Sequence, residues 1–205
     1  MEEDAEFQRW NSRYETPDYY FGKAPNAFLA AQAPRLKRGW KALAVADGEG
    51  RNGVWLARQG LDVLSVDFSP AAQAKARALA AESKVAMRFE QADITKRKWE
   101  VREFDVVAAI FIQFCPPPLR NEILRGLKGA LKRGGLFLLQ GYRPEQLAYG
   151  TGGPPKAENM YTEEFLRGFF GDMKILHLAS HDDAIEEGSH HRGMSALIDL
   201  VAEKP

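Results

Sequence analysis

Residues 41–46 form a compact apolar run, Lys41-Ala42-Leu43-Ala44-Val45-Ala46, that stops abruptly at Asp47-Gly48-Glu49-Gly50-Arg51-Asn52-Gly53. A helical pattern follows at once, with Val54, Leu56 and Ala57 spaced over Asn52–Gln59 and a stop at Gly60. A strand, a glycine turn and a helix in so few residues open a βαβ unit. The pattern then repeats. Asp62–Asp67 is apolar and β-branched, and Ser69-Pro70 sets an N-cap before a first-turn proline, opening an Ala-rich helix to about Ser83. Val85–Gln91 and Phe104–Phe114 predict two further strands, Leu119–Leu131 a helix closed by Lys132-Arg133-Gly134-Gly135, and Leu136–Gly141 a fifth strand. Strands this continuously apolar are covered on both faces, as in a parallel sheet.

The flanking segments read differently. Residues 1–40 carry Phe7, Trp10, Tyr14, Tyr19, Tyr20 and Phe21 in an irregular pattern, followed by a short helix over Asn26–Ala33 with Asn26 as N-cap. Tyr142–Tyr161 is a polar, Gly/Pro-rich loop of a length that is more often functional than structural. Thr162–Phe170 predicts a helix, and Lys174–Ser180 and Ser195–Ala202 two strands with no helical pattern between them. Those two pair as an antiparallel hairpin across Asp182–Gly193. The expected fold is α/β, a Rossmann-like, doubly wound, seven-stranded, mostly parallel sheet with an antiparallel last strand and helices on both faces. Residues 1–205 are expected to form one domain, with 1–40 an aromatic lid or strap and 41–205 the core.

Composition narrows the function classes. Lys and Arg number 28, as do Asp and Glu, and this balance argues against a broad nucleic-acid footprint. No apolar run approaches the ~20 residues that span a bilayer. The acidic start Met1-Glu2-Glu3-Asp4 is no signal peptide. A cytoplasmic protein that avoids membranes is expected. The lone Cys115 excludes an intrachain disulfide framework and reads as a buried thiol. The pattern carries no signal for oligomeric state.

Chemistry concentrates after the first strand. Gly48-x-Gly50-x-x-Gly53 lets backbone approach a ligand closely at a helix start that offers N–H groups. Nineteen residues after Gly48, Asp67 ends the second strand, where a carboxylate accepts both hydroxyl hydrogens of a ribose. Asp93 lies at the end of the third strand, within reach of an adenine amino group. Together these point to a nucleoside-type ligand. A short-chain dinucleotide oxidoreductase would add Tyr-x-x-x-Lys after the fourth strand. The only match, Tyr19 with Lys23, precedes the first strand. That NAD-type reading and a non-catalytic cofactor-binding regulatory module stand as alternatives.

Over nearly its whole length the chain resembles the class I S-adenosylmethionine-dependent methyltransferases, most nearly the branch of the TehB-type tellurite-resistance enzymes. The residues that carry the resemblance are Tyr20–Asn26, Asp47–Asn52, Val66–Ser69, Ala130–Gly135, Tyr149–Pro154 and Glu187–Gly193. It implies S-adenosyl-L-methionine as cofactor, with Gly48 and Gly50 along its methionine and ribose part and Asp67 on the ribose hydroxyls. Phe68 would lie against the adenine, Asp93 and Ile94 at its edge, and Ile110 to Phe111 beside the sulfonium. The usual motif ends its first strand in an acidic residue followed by x-Gly-x-Gly. Here Ala44 and Ala46 take the acidic and first-glycine positions, so Asp47 or Glu49 is left for the methionine amino group.

On the acceptor side, DNA amino-methylating enzymes carry Asn/Asp-Pro-Pro-aromatic after the fourth strand. Cys115-Pro116-Pro117-Pro118 lacks both the amide and the aromatic, which disfavours base N-methylation. His190 and His191, beside Glu187 and Arg192, read as a base or an oxyanion ligand. No third ligand accompanies them, so no metal is expected. With no appended module to grip a macromolecule, the expected acceptor is a small molecule. The resemblance suggests a chalcogen oxyanion or thiol, faced by His190 or His191 and Arg192.

Overall fold

The computed structural model describes residues 2–188 and 191–205. Seven strands follow the sheet order β3-β2-β1-β4-β5-β7-β6, as the strand count of the sequence predicts. The chain divides into two compact units, 2–97 with 187–191, and 98–186 with 192–205.

The first unit opens with helix α1 (Glu2–Tyr14), which corrects the irregular reading of this segment. Phe7, Trp10 and Tyr14 recur at three- and four-residue spacing, the period of one helix face. Helix α2 (Ala27–Ala31) begins where expected, with the Asn26 side chain accepting from Leu29 N. Strand β1 (Lys41–Val45) runs through the glycine turn into α3 (Arg51–Arg58). Strand β2 (Asp62–Asp67) leads to α4 (Pro70–Glu82), whose cap Ser69 accepts from Ala72 N. Strand β3 (Arg88–Gln91) is shorter than predicted and ends two residues before Asp93. β1 pairs in parallel with β2, Leu43 opposite Leu64, and β2 with β3, Ser65 opposite Phe89. Val54, Leu79 and Ala80 close the core under α3 and α4, with Tyr19, Val85, Met87 and Phe89 packed against them.

The second unit contains β4 (Phe104–Ile110), α5 (Pro117–Ala130) and β5 (Leu131–Tyr142). Phe104 pairs with Leu131 but Val106 with Leu136, so Lys132–Gly135 bulges out of the parallel ladder rather than closing the helix. The predicted loop Tyr142–Tyr161 holds two short helical turns, α6 (Gln146–Tyr149) and a 3-10 turn at Ala157–Asn159, and α7 (Glu163–Phe169) follows with Thr162 as cap. Strands β6 (Lys174–Glu187) and β7 (His191–Glu203) both extend beyond their predicted ends. Much of the loop expected at Asp182–Gly193 is therefore strand, with β6 reaching Glu187 and β7 beginning at His191. β7 runs antiparallel to β5, with Leu138 opposite Val201, as the sequence predicts. Tyr142, Met160, Ile185 and Leu197 form a core cluster against which Phe111 packs. Cys115 is buried, also as expected.

Candidate functional site

In the first unit the carboxyl ends of β1 and β2 meet through one carboxylate. Asp67, the last residue of β2, accepts from Gly48 N through Oδ2 and from Ser69 N through Oδ1, each at 2.9 Å. Burial pushes its carboxyl up to about 6, against the pull of those Ser69 and Gly48 N–H groups. Asp47 faces the other way. Its Oδ2 accepts from the Ser65 hydroxyl at 2.7 Å and its Oδ1 from Gly53 N at 3.0 Å. Burial raises it to about 7 despite both bonds. Asp47 thus braces the turn from beneath.

Between them the backbone is left-handed at Ala46 (φ 46°), Gly48 (φ 56°) and Gly50 (φ 87°). Glycine is free to adopt such angles, whereas Ala46 holds a strained one. A Cβ on Gly50 would lie 2.7 Å from Ala76 Cβ, so this glycine also permits α3 and α4 to pack. Glu49 pairs with Lys75 at 2.7 Å. The two acids left open for the methionine amino group therefore both have protein partners.

The N-terminal aromatics lie over this edge. The Phe7 ring meets Phe68 edge-on at 5.5 Å, and Trp10 stacks on Tyr14 at 5.9 Å. Asn11 Oδ1 accepts from Ser69 Oγ at 2.7 Å and from Ala71 N at 3.3 Å, fixing α1 on the start of α4. Phe68 is half-buried and Ile94 buried. Asp93 is also half-buried, with Oδ1 accepting from Thr95 N and Thr95 Oγ1 in a local turn.

A second cluster forms where the hairpin tip joins this unit. Glu187 accepts from Arg51 Nη2 at 2.6 Å and from Asn26 Nδ2 at 3.0 Å, and its Oε2 lies 2.7 Å from His191 Nδ1. Burial opposes its ionisation, but the His191 bond and the Arg51 charge outweigh that and hold it down at about 2. The Phe21 ring meets His191 edge-on at 5.6 Å. His191 opens β7 and is buried, rather than standing in an exposed loop.

Of the other predicted site residues, Ile110 closes β4 in the second unit and is buried, and Arg192 is exposed there. His190 lies outside the described residues. The sequence reading missed Tyr14, Arg51 and Asn26. Helical spacing marks Tyr14, but nothing local marks a bond such as Asn26 to Glu187 between residues 161 positions apart.

Residues 42–135 match a family described as a methyltransferase domain. That match marks residues 42–135 as a methyltransferase domain, and the Rossmann-like fold around it accords with an S-adenosylmethionine-dependent methyltransferase. The oxidoreductase alternative falls with it. Tyr19 is spent donating to Lys75 O at 3.0 Å, and Lys23 pairs with Glu82 at 2.6 Å.

Among solved structures, TehB from Haemophilus influenzae is similar at 17% identity and a TM-score of 0.75, over 97% of this chain and 67% of that one. A structure reported with the conversion of a disulfide bond into a thioacetal group during echinomycin biosynthesis matches at 18% identity and a TM-score of 0.74. That match covers 100% and 93% of the two chains. Magnesium protoporphyrin IX methyltransferase (ChlM) from Synechocystis PCC 6803, with bound SAH, matches at 16% and 0.68 over 98% and 94%. At such identities these likenesses establish the fold alone. No curated protein sequence matches the chain.

Proposed function

We propose that the cofactor lies along the Gly48–Gly50 turn with Asp67 on its ribose hydroxyls, and that the acceptor is a small molecule. The observation that carries this is the carboxylate of Asp67. Two backbone N–H groups orient it, and its four lone-pair directions exceed those two bonds. It fits a pair of ribose hydroxyls without losing its place. Phe68 offers a ring for the adenine, and Asp93 with Ile94 a polar and an apolar contact at its edge.

When bound, S-adenosylmethionine supplies an electrophilic methyl group on a sulfonium sulfur. The chain's part is to hold the two reactants in line and keep water out. Phe21, Trp10 and Tyr14 provide an apolar wall for this, and α1 acts as a lid. Glu187, an acceptor, holds the proton of His191 on Nδ1 and so makes Nε2 the ring's basic nitrogen. Such a base serves an oxygen or nitrogen acceptor, whereas a thiolate or selenide needs none. His190 and Arg192 complete the acceptor side in this reading. The sequence resemblance to the TehB-type tellurite-resistance enzymes suggests a chalcogen oxyanion or a thiol as acceptor class. No helix among the described residues is long and apolar enough to cross a membrane. A cytoplasmic enzyme, folded as one domain and acting without nucleic acid, accords with the charge balance.

Calorimetry with S-adenosylhomocysteine and with NAD tests the cofactor site; binding of NAD alone would refute it. Transfer of a labelled methyl group to thiols, selenite, tellurite, phenols and amines tests the acceptor. Labelling of protein or RNA only would refute the small-molecule reading.

A further inference from the structure

In the second unit, Arg120 of α5 is 7% exposed and pairs with no carboxylate among the described residues. Its Nη1 donates to Glu158 O at 2.9 Å and to Met160 O at 3.1 Å, and its Cζ lies 3.9 Å from the centroid of the Phe165 ring. None of these partners carries a charge to offset the guanidinium, and a buried cation without a counter-charge is costly. Tyr161, whose ring centroid is 5.9 Å from Arg120 Cζ, is fully buried, and its hydroxyl has no hydrogen-bond partner. Asn159, between the two residues whose carbonyls Arg120 grips, likewise has a buried Oδ1 without a partner. An uncompensated cation and an unsatisfied hydroxyl side by side call for a ligand. The Tyr161 ring is held in place. Its backbone N donates to Tyr142 O at 3.0 Å, Phe165 stacks on it at 6.1 Å, and a Cβ on Gly141 would lie 2.8 Å from its Cδ2. Gly141 and Tyr142 end β5, so the pair lies at the carboxyl edge of the sheet, where a doubly wound fold takes its ligands.

The geometry points to Arg120 and Tyr161 as an anion subsite for the methyl acceptor, in which guanidinium and phenol hydroxyl together hold a carboxylate or oxyanion group. This rests on the small-molecule acceptor proposed above and gives that molecule a charge. The chemistry of the two groups selects an anion. Burial lowers the Arg120 guanidinium, but such a group stays charged in proteins. Burial also holds the Tyr161 phenol well above its ordinary range, against the pull of Arg120, so the hydroxyl keeps its proton and donates. Two donors, one of them charged, suit two oxygens that share a negative charge. A neutral ligand would leave the guanidinium uncompensated. Glu158 does not fill the role, since it meets Arg120 with its backbone carbonyl. Asn159 Oδ1 adds an acceptor for an O–H or N–H on the same ligand. The Gly/Pro-rich segment leading into the pair, 150–158, is exposed or half-buried throughout, so it can shift to admit a ligand without uncovering core.

Ligand-observed NMR titration of the full chain, with S-adenosylhomocysteine present, tests the assignment using mercaptoacetate and 2-mercaptoethanol, two small thiols that differ in the carboxylate. The wild type is expected to bind mercaptoacetate about tenfold more tightly or better. Tyr161→Phe is expected to weaken mercaptoacetate about tenfold and leave 2-mercaptoethanol unchanged. Because the hydroxyl has no protein partner to lose, the ligand-free variant is expected to melt at or above the wild-type temperature. Unchanged affinity for mercaptoacetate in the variant, or equal weakening of both thiols, overturns the assignment. Should Tyr161→Phe fail to fold, the wild-type comparison decides, and equal binding of the two thiols overturns the subsite. Selenite that displaces mercaptoacetate identifies a bare oxyanion as ligand, and selenite that does not identifies a carboxylate; either supports the subsite. If neither thiol nor selenite binds the wild-type chain, the acceptor reading itself is refuted, and this assignment with it.

Discussion

Asp67 Oδ2 and the backbone nitrogen of Gly48 lie 2.9 Å apart, joining the end of the second strand to the turn that follows the first. One side chain thereby fixes the shape of the turn and presents a carboxylate beside it. The two roles predict a double loss. Asp67→Ala leaves the N–H groups of Gly48 and Ser69 without an acceptor, costing about 1–3 kcal/mol in urea unfolding. The same variant is expected to weaken S-adenosylhomocysteine tenfold or more in calorimetry.

Ala46 holds a left-handed backbone at φ 46°, at the position where the resembling motif carries glycine. That conformation costs an L-residue about 1–2 kcal/mol, while glycine gives back about 0.4–1 through the freer unfolded chain. Ala46→Gly is therefore expected to stabilise the protein by up to about 1 kcal/mol, read as a higher melting temperature. Ala46→Val should lower it.

Two buried carboxyls titrate high, Asp47 at about 7 and Asp67 at about 6, both chiefly through burial. The folded state therefore holds protons that the unfolded chain has released above pH ~4. Stability must fall as pH rises from about 4 through 7, by an amount on the order of 2–4 kcal/mol between pH 5 and 7.5. Urea titrations at those two values measure the slope. Asp47→Asn should remove much of it.

Glu187 behaves in the opposite sense, held at about 2 despite burial by the His191 bond and the Arg51 charge. Its contribution is complete above pH ~4.5 and is lost as pH falls through 2, a change on the order of 3 kcal/mol. Glu187→Gln leaves Arg51 and His191 without their shared anion and is expected to destabilise by about 3 kcal/mol or more at pH 7. The variant should also lack the acid limb between pH 4.5 and 2. If His191 is the base, Glu187→Gln lowers turnover on oxygen or nitrogen acceptors and spares thiols.

Asn11 Oδ1 is the polar anchor of α1, bonded to Ser69 Oγ at 2.7 Å. Asn11→Ala is expected to loosen the helix, so that trypsin cuts at Arg9 or Arg13 several-fold faster. S-adenosylhomocysteine should slow that cleavage by holding the lid closed. An unchanged cleavage rate would show that the aromatic contacts of Phe7 and Trp10 suffice.

The strands, the glycine turn and Asp67 were legible because each is written locally. An apolar run of five or six residues ending at glycine has few ways to fold, and Ser69 and Asn26 sit where a helix start needs an oxygen. The helix α1 was legible in principle through Phe7, Trp10 and Tyr14, but the density of aromatics hid its period. The hairpin tip was misjudged for another reason. Polar residues from Asp182 to Gly193 look like a loop, yet an antiparallel pair continues as long as backbone hydrogen bonds can form.

By itself, then, the sequence determined the alternation of strand and helix, the antiparallel return at the end, and the carboxylate after the second strand. Each follows from side-chain periodicity, caps and turn residues within a few positions of one another. The tertiary structure alone decided that Asp47 turns inward to Ser65 while Asp67 serves the turn, and that Tyr14 rests on Gly48. It also decided that Glu187 gathers Arg51, Asn26 and His191. Those outcomes depend on which distant segments share a buried space. There a charge must find partners or shift its proton, and no local pattern specifies the partner.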